Sequence, residues 1–231
     1  MSDNVSAPEG RADHWAKPVD RLSGPDGQGS AVDGRRLSGP VQGFGKLWQK
    51  TYRVNLPGVD MTPAEVSAEW RANYGSFWPK GNRFTAPLAG IQPGEIGLIS
   101  GRAGGLTLST GVMVVFADDE SFCFMTPEGH PFAGLITFSV DQAGGRLAAQ
   151  VQLLIRAHDP MVEVGMAFGG HRKEDHIWEH TLATLAGHFG VADPEVDKKI
   201  VCVDKKRQWK RFGNIRHDAV FYALRHPFRK G

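Results

Sequence analysis

Apolar and polar positions follow two different periods along the chain, and together they predict a mixed α and β fold. Residues 47–56 (LWQKTYRVNL) carry β-branched and aromatic side chains and end at Pro57-Gly58, as expected for a strand. Residues 62–65 then combine a threonine N-cap, a proline at N1 and a glutamate at N3, a capping box that starts a helix. Apolar residues spaced by four give this helix one face for burial.

Residues 83–155 contain six strand-like runs separated by short turns rich in Gly, Pro and Asp, which predicts an antiparallel meander. We expect strands at 83–88, 96–100, 106–116, 121–125, 134–140 and 147–155. Residues 161–168 are compatible with one more strand or with the approach to a helix. A long helix is predicted from about residue 172 to residue 189, and it stops at Gly190.

Both ends of the chain differ in composition from the middle. Residues 1–43 are rich in Gly, Pro, Ser and Asp without periodicity, so we predict a disordered N-terminal tail. Residues 192–231 form a basic extension, in which 200–203 could add an edge strand and 218–224 a short helix. From Lys198 onward there are eleven Lys or Arg and two Asp, a net charge of +9 that leaves −7 for the remainder of a chain with +2 in total. Residues 44–191 remain as the folded domain.

The predicted order of strand, helix, antiparallel strands and long helix is the helix-grip layout. Four segments with this layout resemble a bacterial branch of the START-like (SRPBCC, polyketide cyclase-like) superfamily, over about residues 44–191. They are LWQKTYRVNL, FWPKGNRF (77–84), FCFMTPEGHPFAGLITFS (122–139) and GGHRKEDHIWEHTLATLAGHFGV (169–191). The resemblance implies an α+β fold in which a curved antiparallel β-sheet packs against the long C-terminal helix, with a cavity between them.

Members of that superfamily carry lipids, sterols, hormones or aromatic polyketides, and a minority are enzymes without a shared catalytic motif. The leading prediction is therefore binding of an apolar or aromatic small molecule, with no cofactor and no catalytic residue. A cyclase- or hydrolase-like enzyme in the same cavity is the alternative, and it requires a buried acid–base pair that the sequence does not reveal.

The residues expected to line the cavity are aromatic or apolar, although each of them is also compatible with an ordinary core position. They are Trp70, Tyr74, Phe84, Met113, Phe122, Phe124, Trp178 and Leu182. The candidates for polar contacts with a ligand are Tyr52, Asn82, Arg83 and Arg156.

The long helix also contains His176-Ile177-Trp178-Glu179-His180, which matches the H-x-x-E-H motif of the inverted zinc peptidases. Two histidines four residues apart share a helix face and can bind one metal ion. On a helical wheel both lie about 160° from Trp178, so they should face water if Trp178 faces the core. We therefore predict no metal site and keep His176 and His180 as the alternative ligands.

Gly169-Gly170-His171-Arg172-Lys173 opens the long helix. Free N–H groups, the positive end of the helix dipole and two cations could bind a phosphate or a carboxylate. A flexible turn followed by a solvated basic first turn is the preferred interpretation. Gly169, Gly170, Arg172 and Lys173 are kept as a possible anion site.

The basic extension contains Lys205-Lys206-Arg207-Gln208-Trp209-Lys210-Arg211. Such a segment can bind nucleic acid by stacking and phosphate contacts, or lie on an anionic membrane. An adaptor that binds an anionic surface is thus the third function considered. A solvated extension that folds back on the domain is favoured over it, because the positive charge is local.

The N-terminus lacks a basic region followed by an apolar stretch, so no signal peptide is predicted. The apolar run at 111–117 is too short to cross a bilayer. Two cysteines, Cys123 and Cys202, make neither a disulfide framework nor a metal cage, and we predict that both are free. These features together predict a cytoplasmic protein.

Overall fold

A computed structural model describes residues 12–24, 30–103 and 106–217. Eight strands and three α-helices follow one another in these parts of the chain. The strands are β1 (Leu47–Asn55), β2 (Asn82–Thr85), β3 (Ile96–Ala103), β4 (Leu106–Ala117), β5 (Ser121–Met125), β6 (Phe132–Ala143), β7 (Arg146–Ala157) and β8 (Val196–Asp204). The helices are α1 (Pro63–Ala72), α2 (Pro160–Gly165) and α3 (His171–His188).

All eight strands belong to one antiparallel sheet in the order β2-β3-β4-β5-β6-β7-β1-β8. The predicted meander is therefore confirmed from β2 to β7: residues 86–95 connect β2 to β3, and shorter connections join the later strands. The first strand of the chain then pairs with the last strand of the meander, with Tyr52 opposite Val151. This pairing places β1 in the half of the sheet that α3 contacts.

α3 packs across the inner face of the sheet and buries Trp178, Leu182 and Leu185 in the main core. α1 adds Val66 and Trp70 to the same core. Its predicted capping box is present: the Glu65 N–H donates to the Thr62 hydroxyl, and the Glu65 carboxylate accepts the Thr62 N–H. The predicted fold class, an α+β helix-grip arrangement with the long helix packed on an antiparallel sheet, is confirmed.

The chain is helical before α3, where the sequence left a strand as an option. The Asp159 carboxylate accepts the N–H groups of Met161 and Val162, and Pro160 occupies the first helical position of α2. A turn of π-helix, Met166–Gly170, joins α2 to α3 with a kink at Phe168 and Gly169. Gly169 has φ of 105°, a conformation that glycine adopts without strain.

Parts of the N-terminal segment pack on the domain, and here the structure differs from the prediction of a disordered tail. Leu22 and Val32 form a buried cluster with Ile96 and Met113, which lie on β3 and β4. Val32 sits against Gly111, where an added Cβ would come within 2.9 Å of its side chain. This face of β3 and β4 is apolar and α3 does not cover it, so ordering the segment buries surface that would otherwise face water.

The C-terminal extension begins inside the sheet. β8 pairs with β1 along nearly its whole length, which places the predicted strand-like residues 200–203 at the sheet edge. A 3₁₀ segment, Trp209–His217, follows. The short helix predicted at 218–224 lies outside the described residues, and the proposed domain boundaries remain predictions. Both cysteines are free, as predicted.

None of the helices in the described parts of the chain combines the length and the apolar composition needed to cross a membrane.

Candidate ligand site beneath the long helix

Aromatic side chains from the sheet, from α1 and from α3 meet beneath the long helix. The rings of Phe122 and Phe138 stack at 4.6 Å, and Tyr74 meets Phe84 edge-on at 4.7 Å. Seven of the eight residues predicted to line a cavity belong to this core: Trp70, Tyr74, Phe84, Phe122, Phe124, Trp178 and Leu182. We call these seven residues together with Trp78 and Phe138 the aromatic core.

Met113 is the exception among the predicted lining residues. Its neighbours Val112 and Val114 belong to the main core, whereas Met113 joins the cluster with Leu22 and Val32. Successive side chains of a strand point to opposite faces of the sheet, so Met113 lies on the face away from α3. The prediction that Met113 lines the space between sheet and helix is therefore corrected.

The same alternation brings a lysine and a tyrosine beneath α3. Lys50, Tyr52 and Val54 are the buried positions of β1, and they point toward the helix. Lys50 Nζ donates to Glu174 Oε2 and to Asp175 Oδ1, both at 2.7 Å. The Tyr52 hydroxyl donates to the same Asp175 oxygen at 2.6 Å.

A second lysine reaches this group from β8. Lys198 Nζ lies 3.3 Å from Asp175 Oδ2 and 2.7 Å from Glu179 Oε1. We call Lys50, Tyr52, Glu174, Asp175, Glu179 and Lys198 the charge cluster. Two cations and three carboxylates give the cluster a formal charge of −1 when all of them are ionised.

The two neighbouring carboxyl groups of the cluster have opposite electrostatic environments. Burial raises the pKa of Glu174, and the Lys50 ammonium offsets this only in part. Burial also opposes ionisation of Asp175, but hydrogen bonds from Lys50 and Tyr52 outweigh it and lower its pKa. Burial, followed by the hydrogen bond to Asp175, raises the pKa of Tyr52, which therefore remains protonated. Of these groups, Glu174 is the one that is closest to accepting a proton.

Two polar atoms meet at the boundary between the charge cluster and the aromatic core. Glu174 Oε1 and Trp178 Nε1 are buried and have no hydrogen bond to any third group, so their only polar contact is the loose one with each other. Glu174 and Trp178 lie one helical turn apart, so both point from the same side of α3. The Trp178 indole is near enough to lower the pKa of Glu174. Buried polar atoms are nearly always paired, which makes this pair a candidate for contact with a ligand.

The strand order, with α3 lying across the meander and β1, completes the arrangement that the sequence resemblance implied. The chain has a helix-grip fold. No protein-family model matches the chain, and a search of curated proteins gives no match.

Three solved structures illustrate proteins with a similar arrangement of strands and helices. Protein Ms6760 from Mycobacterium smegmatis is 9% identical over 61% of this chain and 89% of its own, with a TM-score of 0.43. The major latex-like protein 151 from Panax ginseng is 13% identical over 58% and 99%, with a TM-score of 0.35. The di-domain ARO/CYC protein StfQ from the steffimycin biosynthetic pathway is 9% identical over 62% and 50%, with a TM-score of 0.45. At these values the likenesses assign neither a ligand nor a reaction.

The remaining predicted site residues lie away from the aromatic core. His176 is exposed and His180 half-buried, with ring centroids 6.0 Å apart. The described residues include no group of three or more His, Cys, Asp or Glu side chains arranged to hold a metal ion.

The possible anion site falls on the kink before α3. Gly169 is at the kink itself, and Gly170 already has helical angles, with φ of −58° and ψ of −38°. Arg172 and Lys173 are exposed. The chain is helical from Pro160 onward, so a helical turn precedes α3. The flexible entry turn that the sequence suggested is not formed there. The anion site stays a prediction.

Of the four polar candidates, only Tyr52 belongs to the charge cluster. Arg156 instead binds the Gly45 and Lys206 carbonyl oxygens and the Asp204 carboxylate. Asn82 and Arg83 lie on β2, where Asn82 is half-buried and Arg83 is exposed.

Sequence reasoning missed Lys50, Glu174 and Asp175. A signal was present, because Lys50 occupies an inward position of β1 in the same alternation as Tyr52. On the helical wheel Glu174 and Asp175 both lie within about 60° of Trp178, on the face expected to meet the sheet. The run HRKEDH around them has the composition of a solvated helix face, which concealed the burial of two of its members.

Proposed function

We propose that the protein binds an apolar or aromatic small molecule beneath α3, between the aromatic core and the charge cluster. The observation that carries this proposal is the buried contact between Glu174 Oε1 and Trp178 Nε1, where the charge cluster meets the aromatic core and neither atom bonds a third group. Ligand sites are typically apolar with a few polar groups that fix the orientation of the ligand. The charge cluster and the aromatic core provide these two components side by side.

The two atoms of this contact also define what the ligand should carry. Glu174 Oε1 accepts a hydrogen bond when the carboxylate is ionised, and Trp178 Nε1 can only donate one. A hydroxyl group does both, so a ligand hydroxyl placed between them would replace their loose mutual contact by two hydrogen bonds. Glu174 Oε2 is already bound to Lys50, which holds the carboxylate in place.

The Trp78 side of the aromatic core is where we place the ligand. Trp78 is half-buried, whereas Trp70 and Phe122 on the opposite side are fully buried. The Trp78 and Trp178 rings meet edge to face at 6.3 Å. A ligand that enters beside the half-buried Trp78 would therefore reach Trp178 directly.

The first test is native mass spectrometry of the untagged protein beside the same sample denatured. We expect an additional mass of a small organic molecule that is lost on denaturation. Calorimetric titration with 2-naphthol and with 2-methoxynaphthalene then tests the polar contact, because only the former can donate a hydrogen bond. We expect 2-naphthol to bind about tenfold more tightly, as a hydrogen bond to a charged group contributes about 1.5–3 kcal/mol.

Two conservative variants distinguish the polar contact from non-specific apolar binding. Trp178→Phe removes the indole N–H, which can donate to the oxygen of either naphthalene, so it should weaken the binding of both ligands and keep the preference for 2-naphthol. Trp70→Phe is the matched control, because it removes another buried indole N–H of the same core and should leave both affinities unchanged. A bare mass combined with no binding of either naphthalene would contradict the proposal.

A cyclase- or hydrolase-like enzyme in the same place is the second candidate, and the charge cluster is the observation that favours it. Glu174 and Asp175 form a buried carboxyl pair whose pKa values are pushed in opposite directions, a frequent property of acid–base sites. Glu174 would be the group that exchanges a proton. If the captured molecule changes mass on incubation with the protein, Glu174→Gln should stop the change and leave binding of 2-methoxynaphthalene intact.

A further inference from the structure

A basic and aromatic surface lies outside the candidate ligand site, in the segment that follows β8. Within residues 205–212, which we call the basic-aromatic segment, Trp209 is 70% exposed and Phe212 is also exposed. Lys205, Lys206 and Lys210 are exposed beside them. Large aromatic side chains in water are unfavourable unless they serve a contact.

The basic-aromatic segment is held against the domain by specific contacts. The Gln208 N–H donates to the Phe44 carbonyl at 2.7 Å, and the Phe44 ring meets Trp209 edge-on at 5.3 Å. Arg156 donates to the Lys206 carbonyl at 2.9 Å. The segment is therefore a fixed part of the surface, and its exposed aromatic side chains are presented in a defined direction.

A second exposed apolar stripe lies on the neighbouring helix. Met161, Val164 and Phe168 are all exposed, Phe168 by 87%, and they recur at a spacing of three and four along α2 and its π-helical extension. Met161 and Val164, three residues apart on α2, share one helix face, and Phe168 follows at the kink before α3. Arg207 Nε lies 2.9 Å from Glu163 Oε1, which joins α2 to the basic-aromatic segment.

Most of the positive charge of this region has no ion-pair partner in the described ranges. Lys205, Lys206, Lys210, Arg172 and Lys173 form no ion pair with any carboxylate in the described ranges. The nearby acids are already engaged, because Asp204 pairs with Arg156 and Glu163 pairs with Arg207. The partner of this surface should therefore bring negative charge.

We propose that the basic-aromatic segment and the exposed stripe of α2 together dock on an anionic lipid membrane. Tryptophan and phenylalanine favour the interface between lipid headgroups and acyl chains, and lysines beside them attract anionic headgroups. Met161 and Val164 favour a membrane over nucleic acid as the partner. Aliphatic side chains are stabilised when they enter the acyl layer, whereas they do not stack on bases. This inference is independent of the ligand site beneath α3.

Vesicle flotation of the full chain tests the proposal. We expect binding to vesicles of phosphatidylcholine mixed with phosphatidylserine, little binding to phosphatidylcholine alone, and weaker binding as salt is raised. The triple variant Lys205→Glu/Lys206→Glu/Lys210→Glu should lower the partition coefficient on the order of 100-fold. Its matched control, Lys80→Glu/Arg83→Glu/Arg146→Glu, changes the net charge equally at exposed cations elsewhere and should remain within about twofold of the wild type.

Trp209→Phe provides a readout of where the segment sits. It should keep most of the binding but lose most of the quenching of tryptophan emission by brominated acyl chains, because Trp209 is the tryptophan placed in the membrane. The proposal is overturned if the wild type fails to float with anionic vesicles, or if both triple variants lose binding equally. It is also overturned if a single-stranded oligonucleotide binds at the same salt concentration and displaces the protein from the vesicles.

Discussion

Lys50 is a fully buried cation whose charge depends on two carboxylates of α3. An isolated ammonium group would be expensive to bury, but Glu174 and Asp175 each approach it to 2.7 Å. Removing one charge from such a group destabilises the protein by more free energy than the intact group contributes to stability. The reason is that the remaining charges stay buried without compensation.

Lys50→Met should therefore lower the free energy of unfolding by about 3–5 kcal/mol, measured by urea denaturation. The matched control is Arg53→Met on the same strand, which breaks the partly exposed pair with Asp141 and should cost at most about 1 kcal/mol. Adding Glu174→Gln to Lys50→Met should recover part of the loss. Equal costs for the two single variants would show that burial of the cluster has little influence on stability.

His130 is a second buried titratable group, at the turn between β5 and β6. Its Nδ1 lies 3.0 Å from the N–H of Phe132, and burial is the main cause that lowers its pKa to about 4. The nearby His158 adds to the effect. The folded protein therefore holds this histidine neutral at pH values where the unfolded chain, with a pKa of about 6.5, takes up a proton.

Stability should accordingly fall as the pH decreases from about 6.5 to about 4, with a contribution from His130 of up to about 3 kcal/mol. His130→Asn should flatten this part of the curve of unfolding free energy against pH. His171, whose pKa is also lowered by burial, contributes in the same direction in both proteins. Parallel curves of unfolding free energy against pH for the wild type and His130→Asn would refute the assignment.

At the scale of elements, local patterns predicted most of the strands and α1. Alternation, turn residues and a capping box each depend only on a short stretch of sequence. They failed where the outcome depends on distant partners. β2 ends at Thr85 instead of residue 88, and the helical turns from Pro160 to Gly170 were left open. The buried carboxylates of α3 depended on Lys50, more than a hundred residues away, which no helical pattern reveals.

Two glycines on the long helical stretch should respond to alanine with opposite signs. Gly169 at the kink has φ of 105°, so Gly169→Ala should lower the free energy of unfolding by about 1 kcal/mol or more. Gly187 lies in regular α3 with nothing within 4 Å of an added Cβ, so Gly187→Ala should raise it by about 0.5–1 kcal/mol. Thermal unfolding of both variants checks the prediction, and an equal sign for both would mean that the kink is not retained in solution.

At the scale of the whole molecule, composition predicted a domain with two unusual ends but did not reveal that parts of both ends pack on it. Gly, Pro and Ser in the N-terminal segment suggest a loose chain, yet Leu22 and Val32 suffice to cover the outer face of β3 and β4. The need for that cover arises from apolar residues such as Met113, which are far along the chain. A few anchoring residues are enough to order a segment when the sheet offers an apolar face.

Val32→Ala tests this order directly. Val32 has 0% exposure, so its truncation should cost about 1–3 kcal/mol in urea denaturation, whereas a disordered tail would give no change. Val41→Ala in the same segment, at 70% exposure, is the chemically identical control and should change stability by less than about 0.5 kcal/mol. If neither variant changes the free energy of unfolding, the N-terminal segment is disordered, as its composition suggests.

The way in which the chain enters and leaves the sheet has a mechanical consequence. Leu47 at the start of β1 lies opposite Asp204 at the end of β8, so the two strands begin and finish side by side. A force that pulls the two flanking segments apart would break the hydrogen bonds between β1 and β8 one after another from that end. It would not load all of them at once, as shear would. Outside the first rung the flanks are joined by the Gln208 N–H bond to the Phe44 carbonyl and then by Arg156, which donates to the Gly45 and Lys206 carbonyls, so these contacts would bear the load before the ladder does.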